Sequence, residues 1–233
     1  MQPQPPVDPT RGAQRSSAYR RLRRRAGTLR RRFAGTPAAN RPDANHAHRD
    51  ALLARLPKGG VGLEIGTWKG DFSARILADA RPRRLYLVDP WEHRGEREYS
   101  GALYGGNVGE QERMDAIHEG VCGRFEAEIE RGQVVVLRAS SLDAAAELRD
   151  GALDWVYIDG DHTHAAVRRD LDAYYDKLKP DGMLAGDDYG VVEWWDDGVT
   201  RAVEELAASG RCGGPEIFGS QFLFTKRTPS RDA

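Results

Sequence analysis

The chain has 233 residues, of which 30% are charged, with a net charge of −1 and two cysteines; this suits one domain with a tail. No run of about 18 apolar residues is present, and the N-terminus lacks the apolar stretch of a secretory signal. Membrane spanning and export are therefore not expected, and the expected location is the cytoplasm. Cys122 and Cys212 have neither close spacing nor an evident histidine partner, which argues against a disulfide framework or structural zinc and leaves two ordinary thiols.

The near-zero charge hides a division. Residues 1–41 hold eleven arginines and one acid, Asp8, whereas the remainder holds 24 basic and 35 acidic residues. The first segment, taken to residue 42, has too few apolar side chains to offset its ordering entropy and reads as a disordered tail. Its Arg-rich runs, Tyr19 to Arg25 and Leu29 to Phe33, would also suit an anionic surface such as lipid or nucleic acid. The folded domain is expected over 43–228, with a flexible end at 229–233.

From Asp43 onward, short apolar runs alternate with amphipathic stretches, the pattern of parallel strands joined by crossover helices. Residues 48–56 predict a helix with Leu52, Leu53 and Leu56 on one face, ended by Pro57-Lys58-Gly59-Gly60. Residues 61–65 form the first predicted strand, Gly66 to Gly70 a turn, and Asp71 opens a helix whose N-terminal amides could meet a polar or anionic ligand. The second strand, 85–88, closes on Asp89. Residues 90–109 carry five glycines with Trp91, Tyr99 and Tyr104 among them, a length that is uncommon unless functional, and are read as a substrate-facing lid. A helical pattern over 110–131 has a break expected at Gly120 and Gly123. Then come strand 134–137, a helix capped by Ser140-Ser141-Leu142-Asp143, strand 153–158, helix 163–178, strand 182–186 and helix 199–209. Two closing strands, 216–218 and 221–225, suggest an antiparallel hairpin. The sum is an α/β fold, a doubly wound, mostly parallel seven-stranded sheet.

In such a sheet ligands bind beyond the carboxyl ends of the strands, where strand order reverses, so strand-end residues are the ones to read. Glu64-Ile65-Gly66-Thr67-Trp68-Lys69-Gly70 places two glycines where backbone can approach a ligand, and Asp89 follows 23 residues after Gly66, where an acid can accept ribose hydroxyls. The turn lacks the Gly-x-Gly-x-x-Gly spacing of a dinucleotide site, and its Trp would crowd a pyrophosphate.

Glu64 to Gly70, Val88-Asp89-Pro90-Trp91, Tyr157-Ile158-Asp159-Gly160-Asp161-His162 and Gly186-Asp187-Asp188-Tyr189 together resemble class I S-adenosylmethionine-dependent methyltransferases. More narrowly they resemble the metal-dependent small-molecule O-methyltransferases that include the macrocin-type sugar enzymes. The resemblance covers roughly residues 48–226. It implies S-adenosylmethionine as cofactor, with Glu64, Gly66 and Gly70 around the methionine moiety, Asp89 on the ribose, Trp91 on the adenine face, Ser140 or Ser141 at the adenine edge, and Thr67 and Asp159 also among the cofactor-binding residues. It also implies a small-molecule acceptor with a hydroxyl group, most simply on a sugar or glycosylated natural product.

Asp159, Asp161, Asp187 and Asp188 would converge if the strands that carry them are neighbours, as the family's sheet order implies. Clustered carboxylates repel unless protons or a cation intervene. The resemblance assigns a divalent ion, most simply magnesium, to Asp159, Asp187 and Asp188. A base must lie near the acceptor oxygen, and Asp161 or His162 sits at the right strand end, with Asp161 preferred. Trp194 and Trp195 could flank the acceptor. Two further readings stand beside this one: a nucleic-acid methyltransferase that uses the Arg-rich tail, and a non-catalytic interaction module on the same fold.

Overall fold

The apolar runs become strands because their side chains can be covered on both faces. In the computed structural model, which describes residues 44–105 and 111–227, the first strand, β1 (Val61–Ile65), is buried at all five positions. The other strands are β2 (Arg84–Asp89), β3 (Val134–Arg138), β4 (Leu153–Ile158), β5 (Leu178–Gly186), β6 (Glu216–Phe218) and β7 (Gln221–Thr225). They form one sheet in the order β3-β2-β1-β4-β5-β7-β6. The first five are parallel, while β7 runs antiparallel to both β5 and β6. This is the expected doubly wound sheet with its closing hairpin.

Helices cover both faces. They are α1 (Ala44–Arg55), α2 (Asp71–Asp79), α3 (Gln111–Arg124), α4 (Glu126–Glu130), α5 (Ser141–Glu147), α6 (His164–Lys177) and α7 (Gly198–Ala208). One core joins Leu63, Val156 and Leu184 to α6 and α7 through Val167, Leu171, Val203 and Leu206. On the opposite face, Leu85, Trp155 and Tyr157 meet Leu52 and Leu53 of α1, Ile76 of α2 and Met114 of α3. The helical period explains the choice, since Val167, Leu171 and Tyr174 recur three and four residues apart and are all buried. Gly62 is required by the second core, because a Cβ there would fall 1.9 Å from the Trp155 ring.

Several expectations on boundaries are corrected. The break after the lid falls at Phe125, with Gly120 and Gly123 inside α3. Strand β5 begins at Leu178, four residues before the expected start. The segment expected to be a lid is partly structured where it is described, with a short 3-10 turn at Arg97–Tyr99 and a bridge from Arg94 to Gly105. Ser140 caps α5 as expected, its hydroxyl accepting from the Asp143 amide. Cys122 and Cys212 are free thiols, as expected. Cys122 nonetheless has a histidine neighbour, with Sγ 3.5 Å from His118 Nε2 one helical turn away. The Arg-rich tail, Gly106 to Gly109 and the C-terminal end lie outside the described residues. Among the described residues no helix is long and apolar enough to cross a membrane.

Candidate active site

Strand order reverses between β1 and β4, and three backbone hydrogen bonds align the strand ends there. The Gly66 amide donates to Val88 O, the Asp159 amide to Ile65 O and the Asp187 amide to Ile158 O, over 2.9 to 3.1 Å. Asp89, Gly66, Asp159 and Asp187 therefore follow one another along the edge of the sheet. Gly66 has φ +85°, and a Cβ there would lie 1.9 Å from Asp159 O. Only glycine allows this approach. Beyond this edge lies a cavity of about 700 Å³.

At the β1 and β2 side the cavity is lined by Glu64, Gly66, Thr67, Asp89, Ser140 and Ser141, with Asp159 between the two sides. Asp89 holds two strained turns. Trp68 and Trp91 both sit in the left-handed region, with φ 50° and 42°, a conformation that costs about 1–2 kcal/mol per residue. The Asp89 carboxylate accepts from both of their amides, at 2.9 and 2.7 Å. Burial raises the Asp89 carboxyl above its usual range, and those two bonds oppose the shift. Each carboxylate oxygen keeps acceptor capacity toward the cavity. Glu64 is fully buried; burial pushes its carboxyl up to about 8, against the hydrogen bond donated by Ser73. Thr67 Oγ1 is buried with no partner among the described residues.

Two residues expected in this half do not face the cavity. The Trp91 ring is buried in the core, meets the His118 ring at a tilt with centres 4.8 Å apart and donates from Nε1 to Trp68 O. Its left-handed backbone turns the ring inward, so it offers no face to an adenine. Gly70 lies behind the wall, where a Cβ would come 2.7 Å from Phe125.

At the β4 and β5 side, Asp159, Asp161, His162, Asp187 and Asp188 all line the cavity, but their partners separate them. His162 lies between two acids, Nε2 3.3 Å from Asp159 Oδ1 and Nδ1 3.0 Å from Asp188 Oδ2. The Nε2 contact has ion-pair distance without hydrogen-bond alignment, leaving that nitrogen buried and unpaired in the hydrogen-bonding sense. Burial opposes the imidazolium, yet Asp159, Asp188 and Asp187 raise its pKa. Asp188 is pushed up to about 6 by burial, with the neighbouring acids adding to the effect and His162 opposing it. Ligand atoms of Asp159, His162 and Asp188 all lie within 4.8 Å of one another.

Asp187, expected among the metal ligands, is otherwise engaged. Its Oδ1 accepts from the Asp188 amide, Ser220 Oγ and Gln221 Nε2. Its Oδ2 accepts from Arg49 Nε and Nη2, with Tyr157 Oη at 3.4 Å. Both oxygens are saturated, and His162 takes its place in the cluster. Arg49 also donates from Nη2 to Asp159 Oδ2 at 2.8 Å. Burial opposes its charge, but Tyr157, Asp159 and Asp187 around it raise its pKa further above its high ordinary value. This cation sits on the face of α1 that also carries Leu52 and Leu53, and no motif in the sequence announces it.

The outer wall is aromatic. Tyr104, Trp194 and Trp195 line it, the two tryptophan rings meeting edge to face at 5.3 Å. Tyr99 lies behind, 5.5 Å from Trp194 and under the Arg94 guanidinium at 4.2 Å. Tyr99 Oη donates to Asp161 Oδ2 at 2.9 Å, while Asp161 Oδ1 accepts from the Thr163 amide. Tyr104 Oη and Trp195 Nε1 are buried without partners among the described residues. His164 is half-buried and contacts Glu205 at 3.0 Å. Asp170 on α6 was not anticipated; it lines the cavity and accepts from Ser141 Oγ.

A seven-stranded sheet in this order, with an acid ending β2 and a glycine turn after β1, is the architecture expected above, and with the family match it makes the chain a class I S-adenosylmethionine-dependent methyltransferase. The chain belongs to the family whose model, described as a methyltransferase domain, matches residues 63–189. Similar folds occur in a Corynebacterium glutamicum protein at 18% identity, TM-score 0.52, covering 97% of this chain and 94% of that one. A protein assigned as an rRNA methylase from Clostridium thermocellum has 8% identity and TM-score 0.56, covering 82% of this chain and 100% of that one. One assigned as a caffeoyl-CoA O-methyltransferase from Staphylococcus aureus has 12% identity and TM-score 0.53, with 95% and 93% covered. At such identities the likeness is one of fold. No curated protein sequence matches at a comparable level.

Proposed function

We propose that the protein transfers the methyl group of S-adenosylmethionine to a hydroxyl oxygen of a small molecule, most simply a sugar or glycosylated natural product, assisted by a divalent ion such as magnesium. The observation that carries this reading is the placement of Asp159, His162 and Asp188 on the same strand edge as the Gly66 and Asp89 turns, facing one cavity.

The residues present fit both groups. Gly66 leaves a cradle that a side chain would fill, Thr67 Oγ1 awaits a partner, and Asp89 offers oriented acceptors to a diol. Two carboxylates and an imidazole in its neutral form can hold a divalent ion, and His162 Nε2 is buried with no hydrogen-bond partner among the described residues. When bound, S-adenosylmethionine supplies the electrophilic methyl group, and the ion supplies positive charge that acidifies a hydroxyl beside it.

The rest is performed by the chain. Asp161 is the base: Tyr99 and the Thr163 amide fix its carboxylate toward the cavity, whereas both His162 nitrogens face acids. Trp194, Trp195 and Tyr104 exclude water and flatten the acceptor against the strand edge, and Tyr104 Oη and Trp195 Nε1, unpartnered among the described residues, would serve its polar groups. Catalysis then rests on proximity and orientation, and no covalent enzyme intermediate is required.

Calorimetric titration with S-adenosylhomocysteine, with magnesium and then with chelator, tests the reading. Binding of micromolar order, about −8 kcal/mol, is expected. Absence of binding under both conditions would reject it. An unchanged Mn2+ affinity in Asp188→Asn would reject the ion on these residues.

A further inference from the structure

Asp159 and Asp187 at the strand edge share an arginine, Arg49, and its geometry points to more than neutralisation. Arg49 spends Nε and both Nη2 hydrogens on Asp187 and Asp159. Its Nη1 has no partner among the described residues, and the side chain lines the cavity. Asp187, 3% exposed and anchored by Ser220 and Gln221, holds the guanidinium in place. The plane of Arg49 lies over the Phe72 ring, 4.8 Å from its centre. Phe72 is the second residue of α2, a nine-residue helix whose first turn has no side-chain cap. The unspent edge of the guanidinium and the unfilled amides of α2 therefore border the same end of the cavity, beside the Gly66 turn. Both favour an anion. The buried, unpartnered Thr67 Oγ1 stands in that turn as a third polar group.

We propose that Arg49 is a binding residue for the α-carboxylate of the cofactor's amino-acid moiety, with Asp159, on the same guanidinium, facing the α-ammonium. This rests on the cofactor reading above. An α-amino acid presents opposite charges one carbon apart, and the Arg49 to Asp159 pair at 2.8 Å presents the complementary charges at matching scale. Helix α1 is then part of the cofactor site, although it precedes the stretch matched by the family model. Asp187 serves as the positioning residue that aims Arg49, which accounts for its saturation by donors.

The test compares S-adenosylhomocysteine with its decarboxylated analogue, which differs only in lacking the carboxylate, by calorimetry on the full chain. The wild type is expected to prefer S-adenosylhomocysteine at least tenfold. Arg49→Gln should lose that preference while binding the decarboxylated form within about threefold of wild type, a result that also reports an intact cradle. Arg49→Lys, which keeps the charge but not the fork, should show an intermediate preference. Wild type binding both ligands equally would overturn the proposal, as would a preference that survives in Arg49→Gln; either leaves the cofactor reading standing. If Arg49→Gln does not fold, the preference of the wild type and its reduction in Arg49→Lys decide the matter. Failure of wild type to bind S-adenosylhomocysteine at all would reject the cofactor reading, and the proposal with it.

Discussion

Tyr99 Oη and Asp161 Oδ2 are 2.9 Å apart, so the segment after β2 is latched to the end of β4 by a single charge-assisted hydrogen bond. Among the described residues it is the one hydrogen bond between the Tyr99 hydroxyl and the strand edge, and the Arg94 guanidinium lies over the ring. Tyr99→Phe should keep the ring packing and lose the tie. We expect faster amide hydrogen exchange over residues 94–105, with exchange in β1 and β4 unchanged, measured by mass spectrometry. Unchanged exchange in that segment would show that aromatic packing alone closes it.

Asp187 and Arg49 form a largely buried ion pair, with Asp187 at 3% exposure. Removing one partner of such a pair leaves an uncompensated charge and costs about 3–5 kcal/mol. Asp187→Ala is expected to lose stability of that order in urea denaturation. Asp187→Asn should retain Mn2+ affinity within about threefold, because its oxygens are committed elsewhere, whereas His162→Ala should lose it. Loss of Mn2+ binding in Asp187→Asn would restore that residue to the ion's ligands.

Asp170 is pushed from 3.8 to about 6 by burial, against the hydrogen bond from Ser141 and the charge of Arg169. A raised carboxyl pKa means that the folded state takes up the proton first. Its contribution to stability is fully present below about pH 4 and is lost as pH rises through about 6. Asp170→Asn keeps an acceptor for Ser141 without the buried charge. It should therefore match wild type near pH 4 and exceed it at pH 8 by roughly 2–3 kcal/mol, as read by urea denaturation at the two pH values.

Glu64, held up to about 8 mainly by burial, is neutral in the free protein at pH 7. A ligand that brings positive charge to this end of the cavity favours its ionised form. Cofactor binding at pH 7 should then release a proton to the buffer, seen as a dependence of the calorimetric enthalpy on buffer ionisation enthalpy. Glu64→Gln should abolish most of that dependence while keeping the hydrogen bond with Ser73. Equal proton release in both proteins would place the titrating group elsewhere.

The fold was legible because its determinants are local. A short, mostly apolar segment such as Val61 to Ile65, bounded by glycine turns, reads as a strand buried on both faces, and the three-and-four spacing of Val167, Leu171 and Tyr174 reads as a helix with one covered side. The glycine turn at 66 and the acids at 89, 159 and 161 announced the site for the same reason: in a parallel sheet, strand ends are functional positions whatever the sequence between them. The helix break at Phe125 escaped, since glycine is tolerated inside α3 where its amides are already bonded.

What the amino-acid order alone determined was thus the alternation of elements, the strand-end carboxylates and the class of ligand they suit. The tertiary structure decided which of those groups meet. Arg49 reaches Asp187 across 138 positions and Asp159 across 110, and Tyr99 reaches Asp161 across 62. No periodicity or spacing encodes such pairs, because they depend on sheet order and on how α1 packs beneath it. The same packing buried the Trp91 ring and filled both oxygens of Asp187. An ionised group's partners follow from distance in space, and only the folded chain sets that distance.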